Sequence, residues 1–234
     1  MASTSEVTFG AKIANAEAVL TNLQSFTGYV APTKNTSIVN YDALITSLKT
    51  ENSSVATNKM AYSIAVDVRQ KHFVKEPTSI NKILSPIVAS VRATMGKSAK
   101  EVADITSLMT KIRGEKPPKL KEGDTADKVS QSERSYGSMT QNFSDIVTTL
   151  TALGANYAVV QPNLKLPALL TKITDVTAAN NLVTTNYAAL KTTVDSRVKN
   201  YEALSETTQR IKESVKSQYG VASTEYKLIK GLKV

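Results

Sequence analysis

The chain has 234 residues, a formal net charge of +9, and no cysteine. The absence of cysteine excludes disulfides, thiolate metal sites and cysteine nucleophiles. With 41% hydrophobic and 21% charged residues, the composition is that of a folded protein rather than a disordered one. Only 9 glycines and 7 prolines interrupt the chain, so we expect few reversals and long elements.

The first predicted element is a helix of about 20 residues, because Ile13, Ala16, Leu20 and Leu23 recur at helical spacing. It should end near Gly28. The residues before it contain no basic segment followed by an apolar run, so we expect no signal peptide. No apolar stretch approaches the roughly 20 residues that cross a bilayer, and a cytoplasmic location is therefore expected.

A long helix follows, because positions from Tyr41 to Phe73 repeat in alternating steps of four and three. A repeat of about 3.5 residues over several heptads is typical of a long helix with a coiled-coil seam. Pro77 cannot donate to the helix ladder, so a break is predicted near residues 74–77 and a new helix near Thr78.

Two further signals complete the first half of the chain. Ser98 and Glu101 have the spacing of a capping box, and the helix that they introduce should stop at Gly114. Residues 114–130 contain two prolines, two glycines and eight charged residues, which predicts an exposed basic linker. The next helix should begin near Ser132.

A second long helix is predicted from Pro167 to Tyr219. The same 3.5-residue repeat runs from Leu169 to Tyr201, and this segment has no counterpart of Pro77. Pro162 and Pro167 stand at its start, where a missing N–H is tolerated. We therefore expect this helix to be unbroken.

Residues 15–102 resemble residues 142–226 at offsets of 127, 128 and then 124. This match predicts two tandem copies of one helical unit, 1–113 and 131–234, related by a pseudo-two-fold axis. The predicted fold is an all-α, elongated helical bundle in which the two copies pack as one domain.

The predicted seam carries polar residues at equivalent positions of the two copies. Buried charge is costly unless it is paired, and a polar seam residue can set helix register. Cross-pairing of each arginine with the aspartate of the other copy is one interpretation; arginines that extend into solvent at the end of the bundle are the other. This polar seam comprises Asn52, Asn180, Asp67, Arg69, Asp195 and Arg197.

No catalytic, cofactor-binding or metal-binding constellation is recognised. His72 is the only histidine, so a histidine metal site or a histidine-dependent triad lacks a second member. Gly96-Lys97-Ser98 follows a predicted helix rather than a strand, unlike a phosphate loop. We expect neither an enzyme nor a small-molecule substrate.

Basic residues cluster in two regions. If the bundle brings the two regions together, one end is positive enough to bind phosphates with a steep salt dependence. Against it, no nucleic-acid motif is present and aromatic residues are only 6% of the chain. The possible anion-binding residues are Lys111, Arg113, Lys116, Lys119, Lys121, Arg210, Lys212 and Lys216.

Three stretches resemble a family of all-helical proteins from Bacteroidota. They are Ser5-Glu-Val-Thr-Phe9, Gln131-Ser-Glu-Arg-Ser-Tyr136 and Tyr219-Gly-Val-Ala-Ser-Thr-Glu-Tyr226. The resemblance implies an intracellular bacterial protein, and it carries over no functional residue.

The function that these features favour is a structural or interaction protein, a helical scaffold that self-associates or binds a protein partner. A nucleic-acid-associated protein is the alternative, suggested by the charge of +9 and the basic clusters. A membrane-active helical protein is a weaker third reading, because the strongly apolar hairpin of such proteins is not found.

Overall fold

A computed structural model describes residues 8–114 and 133–234. Over these residues the protein is all-α, as predicted, and contains no strand. None of the helices in these two ranges is sufficiently long and apolar to cross a membrane. The helices are α1 Phe9–Ser25, α2 Ile38–Gln70, α3 Ile80–Met95, α4 Lys100–Arg113, α5 Tyr136–Leu153, α6 Leu166–Tyr219 and α7 Thr224–Lys230.

The predicted break after the first long helix is confirmed. Helix α2 continues as one wider π-helical turn over Lys71–Lys75 and ends at Glu76, directly before Pro77. Proline both lacks an N–H and clashes with the preceding turn. Ser79 then precedes the first residue of α3 in extended conformation.

The predicted unbroken helix of the second half is also confirmed. Helix α6 runs for 54 residues without interruption, and Pro167 lies in its first turn. It ends before Gly220, whose φ of 93° is a conformation that side chains with a Cβ rarely adopt. Local sequence rules therefore suffice for the two longest elements.

The predicted capping box at Ser98 and Glu101 is wrong. The residue that caps α4 is Ala99, which makes no side-chain capping bond. The Ala99 N–H donates to the Gly96 carbonyl at 3.3 Å, and this turn delays the helix start by one residue. Serine does cap α7, where Ser223 Oγ accepts from the Tyr226 N–H at 3.1 Å.

The predicted linker, residues 114–130, lies outside the described residues except for Gly114, which follows α4. The predicted helix start near Ser132 also lies outside them. The first described helix after the gap is α5, which begins at Tyr136. Its cap is Ser135, whose Oγ accepts from the Ser138 N–H at 3.0 Å. This contact satisfies one of the free amides of the first turn.

The chain divides into two compact units, whose boundaries fall inside α2 and inside α6. One unit consists of the described parts of Met1–Met60 and Tyr187–Val234 and is called the terminal unit. The other, Ala61–Asn186, is called the central unit. The units do not coincide with the two predicted copies, because each unit contains a part of both.

The core of the terminal unit is formed by α1, the first half of α2, the second half of α6, and α7. Tyr41 is fully buried there, and its hydroxyl shares a 2.7 Å hydrogen bond with Thr208. Full burial of a Val, Leu, Ile, Phe or Met side chain stabilises the fold by about 1.5–3 kcal/mol. The other fully buried apolar residues include Ala16, Val19, Leu23, Leu48, Leu204, Ile211, Val215 and Ile229.

The core of the central unit is formed by α3, α4, α5 and the adjoining parts of α2 and α6. Helix α3 contributes an apolar face at helical spacing, and α5 presents a matching face. The fully buried apolar residues include Phe73, Ile80, Leu84, Ile87, Val91, Ile105, Ile112, Phe143, Ile146, Leu150, Leu169 and Val176.

The predicted seam is not buried along its whole length. On α2, Tyr41, Ile45 and Leu48 are buried, whereas Lys59 is exposed. On α6 the middle of the seam contains Tyr187, which is 54% exposed. The 3.5-residue repeat therefore predicted the helices, but it did not predict burial along their whole length.

Candidate functional site

An arginine–aromatic cluster joins α1, α2 and α6 in the terminal unit. The Arg197 guanidinium carbon lies 4.4 Å from the centroid of the Phe9 ring, and the Phe9 and Tyr201 ring centroids are 4.6 Å apart. The Tyr201 hydroxyl donates to the Phe9 carbonyl at 3.1 Å. Asn52 Nδ2 donates to the same hydroxyl at 2.8 Å, so a seam residue is tied to this cluster.

A second cluster of the same kind lies in the central unit. The Arg69 guanidinium carbon is 4.0 Å from the centroid of the Tyr136 ring, and the Tyr136 and Phe73 ring centroids are 4.9 Å apart. Thr140 Oγ1 donates to the Tyr136 carbonyl at 2.8 Å. Asn180 Nδ2 approaches Thr140 Oγ1 at 3.5 Å.

Both clusters contain buried polar atoms without a hydrogen-bond partner among the described residues. They are Nε of Arg69 and Arg197 and Oδ1 of Asn52 and Asn180. An unsatisfied buried donor or acceptor costs about 1–3 kcal/mol. Attraction between each guanidinium and its ring offsets part of this cost.

The two seam aspartates pair with lysines of their own helical segment. Asp67 contacts Lys71 at 2.9 Å and Lys75 at 2.8 Å, and these lysines lower the pKa of Asp67. Asp195 contacts Lys191 at 2.9 Å. These lysines, rather than the arginines of the cross-pairing interpretation, are the described partners, because a lysine one turn away reaches each carboxylate.

The possible anion-binding residues of the central unit are engaged by neighbouring groups. Lys111 forms an ion pair with Glu133 at 3.0 Å. Arg113 Nη2 donates to the Asn81 carbonyl at 3.1 Å and to Ser85 Oγ at 2.7 Å. The remaining members of this cluster lie outside the described residues; they are Lys116, Lys119 and Lys121.

The possible anion-binding residues Arg210 and Lys216 belong to the terminal unit and also have local partners. Arg210 pairs with Glu206 at 2.8 Å, and Lys216 pairs with Glu213 at 3.3 Å. These pairs are largely exposed, and exposed pairs contribute at most about 1 kcal/mol. They nevertheless place a carboxylate beside each of these two cations.

Lys212 has a different environment, in a cavity of about 430 Å³ in the terminal unit. Its Nζ donates to the Leu232 carbonyl and, at 3.5 Å, to the Lys230 carbonyl. Partial burial lowers the pKa of Lys212. The residues that line the cavity are Lys12, Ser205, Thr208, Gln209, Lys212, Lys233 and Val234.

Two tyrosines close the loops that precede the long helices. The Tyr29 hydroxyl donates to the Thr36 carbonyl at 3.0 Å, and the Tyr157 hydroxyl donates to the Leu164 carbonyl at 2.9 Å. Burial raises the pKa of Tyr29 and raises the pKa of Tyr157 to about 12. These hydroxyls thus remain protonated donors at neutral pH, which suits a structural role.

Within the two described ranges, no group of three or more His, Cys, Asp and Glu residues could hold a metal ion. The fold and these contacts define an all-α protein of two compact units, each with an arginine–aromatic cluster. No protein-family model, no curated protein and no solved structure matches the chain. The resemblance to helical proteins of Bacteroidota therefore stays a prediction.

Proposed function

We propose that this protein is a non-enzymatic helical scaffold that self-associates or binds a protein partner. The observation that carries the proposal is an exposed apolar pair on α2, where Met60 is 67% and Ile64 is 57% exposed. Residues four apart project from the same helix face. Contiguous exposed apolar surface marks interaction sites more often than apolar residues that are scattered singly.

We also propose that the chain consists of two copies of one helical unit, related by a pseudo-two-fold axis. Support comes from contacts that recur at the offsets of the sequence match. Arg197 follows Arg69 by 128 residues, and the ring partner Tyr136 follows Phe9 by 127. A duplicated architecture suits self-association, because equivalent surfaces can form closed, symmetric contacts.

Further support for duplication comes from the turns at the ends of helices. Gly96 and Gly220 have φ values of 84° and 93° and are 124 residues apart. Each accepts a hydrogen bond from the amide three residues later, at 3.3 Å from Ala99 and 3.2 Å from Ser223. The offset of 124 is the one that relates the later parts of the two copies. A cytoplasmic, bacterial setting is part of the proposal and is supported by the family resemblance.

Light scattering coupled to size exclusion tests self-association. Across about a hundredfold range of concentration, the mass should rise above that of one chain as the population shifts toward the assembled state. A double substitution, Met60→Glu with Ile64→Glu, should abolish the rise, because burying an unpaired carboxylate is costly.

The matched control for this experiment is Val160→Glu. Val160 is 95% exposed and lies in the loop before α6, so the same charge is added outside the apolar pair. The control should associate like the parent chain. A parent chain that remains monomeric at every concentration, and that captures no protein partner, would refute the scaffold.

Nucleic-acid association is the second candidate function, carried by the net charge of +9. It has less support, because Lys111, Arg113, Arg210 and Lys216 all have local partners. Band-shift assays at about 50 and about 200 mM salt test it, since phosphate contacts predict a steep loss of affinity between these conditions. Absence of a shift at the lower salt would eliminate this candidate.

A further inference from the structure

The cavity of the terminal unit brings together three lysines from three distant parts of the chain. Lys12 comes from α1, Lys212 from α6, and Lys233 from the segment after α7. None of the three forms a salt bridge with a carboxylate side chain among the described residues. By contrast, Lys49 pairs with Glu17 elsewhere in the same unit.

The surrounding structure holds this cavity in place. Asn15 Nδ2 donates to the Lys233 carbonyl at 2.8 Å, and Ser205 Oγ donates to the Val234 carbonyl oxygen at 2.8 Å. Lys212 is fixed by main-chain carbonyls at the same segment. These contacts hold the Lys212 ammonium and the main chain at Lys233, and pre-organised groups lose little entropy when a ligand binds.

The volume and the polar lining also suit a ligand. A cavity of about 430 Å³ falls in the range of roughly 300–1,000 Å³ that is usual for small-molecule sites. Gln209 adds an amide to the lining. Because an ammonium is a compact point charge, several lysines can converge on one oxyanion.

We propose that this cavity binds the phosphate group of a small soluble compound, and that Lys12, Lys212 and Lys233 supply the attraction. A phosphate carries close to two negative charges at neutral pH, and three ammonium groups match that charge. If an α-carboxylate at Val234 is counted as well, the three lysines still outnumber the negative groups that line the cavity. The volume left beyond the phosphate accommodates the rest of the compound.

The central unit contains a comparable cavity that serves as the internal control. It has about 450 Å³ and is lined by Val74, Asn81, Lys82, Ser85 and Arg113. Arg113 donates to the Asn81 carbonyl and to Ser85 Oγ, much as Lys212 donates to main-chain carbonyls in the terminal unit. Among the described residues the lining holds two cations, Lys82 and Arg113, rather than three, so its attraction for a dianion should be weaker.

Calorimetric titration of the full chain with pyrophosphate at low salt tests the proposal. The parent chain should bind one equivalent, and Lys12→Met should weaken binding by about tenfold or more. Lys12 has no described side-chain partner within the protein, so its replacement should leave the circular dichroism spectrum and the melting temperature unchanged. Lys233→Met should act in the same direction.

Three outcomes would overturn the proposal. The first is no detectable heat with pyrophosphate at low salt. The second is an equal loss of affinity in Lys82→Met, which removes one positive charge at the control cavity; that result would mean that only net charge matters. The third is tighter binding of citrate than of pyrophosphate, which would assign the cavity to carboxylates. If the protein binds an oligonucleotide but gives no heat with pyrophosphate, the result counts as the first outcome and overturns the proposal.

Discussion

The arginine–aromatic contacts can be tested by double-mutant cycles in both units. In the terminal unit the substitutions are Arg197→Met, Phe9→Leu and the two combined. Methionine and leucine keep apolar volume while they remove the cation and the ring. The free energy of unfolding is measured by urea titration at 25 °C, and the coupling energy is the departure of the double variant from additivity.

The structure sets the expected magnitude of the coupling. The Arg197 guanidinium carbon is 4.4 Å from the Phe9 ring centroid, well within the roughly 6 Å over which such contacts are attractive. Phe9 is 40% exposed, so solvent screens the contact and about 0.5–1 kcal/mol is expected. For Arg69 and Tyr136, at 4.0 Å and with both residues half-buried, we expect about 1 kcal/mol or slightly more.

Two compact units need not unfold together, so the titration should be followed by circular dichroism and by tyrosine fluorescence. Coincident transitions justify a single free energy of unfolding. Coupling energies below about 0.3 kcal/mol in both cycles, within the additivity expected of independent sites, would mean that the arginines merely lie near the rings. A coupling in one unit only would contradict the proposed equivalence of the two clusters.

Three further outcomes follow from individual contacts. Replacement of Tyr157 by phenylalanine leaves the Leu164 carbonyl without its donor and should lower the free energy of unfolding by about 1 kcal/mol in urea titrations. Gly96→Ala should lower the melting temperature, because φ is 84° at this position and alanine is strained there by about 1–3 kcal/mol. Gly137→Ala should raise the melting temperature, because Gly137 lies in α5 with open space around it and alanine has the higher helix propensity. Burial raises the pKa of Tyr157 from 10.0 to about 12, so the tyrosine of the unfolded chain loses its proton at lower pH than that of the folded chain. The stability that this tyrosine provides below pH 10 should therefore fall between about pH 10 and 12. The fall should be steeper in the parent chain than in Tyr157→Phe. An unchanged alkaline slope in that variant would assign the loss to other groups.

Much of the helical structure could be predicted from the sequence because the signals that define it are local. Pro77 ends the first long helix, and the absence of a matching proline leaves α6 unbroken. The failure at Ser98 is equally local. The capping-box pattern ignored Gly96, whose turn to Ala99 fixes where α4 begins.

The association of helix segments could not be predicted in the same way. In the terminal unit, the first half of α2 packs with the second half of α6, as the hydrogen bond between Tyr41 and Thr208 illustrates. Both long helices have the same 3.5-residue repeat, so the pattern does not state which segments meet. Side-chain shape and single polar contacts distinguish the alternatives, and these are properties of the folded chain.

The candidate sites were found from the sequence only in part. The seam arginines were recognised, but their partners Phe9 and Tyr136 were not, because these aromatics are the first residues of their helices and lie outside the repeat. Lys212 was recognised as basic, but Lys12 was not grouped with it. No local signal relates two residues on different helices, so the cavity becomes visible only in the fold.

The polar seam residue Asn52 shows how specificity can arise from a stability cost. Its amide donates to the Tyr201 hydroxyl, which donates to the Phe9 carbonyl, while its own Oδ1 is buried without a described partner. Leucine at position 52 would remove that unsatisfied acceptor and bury more apolar surface. However, apolar residues at seam positions do not distinguish registers that differ by one heptad, whereas the asparagine reaches Tyr201 in one register only. The asparagine therefore favours one register at a cost of about 1–3 kcal/mol for a buried oxygen without a described partner.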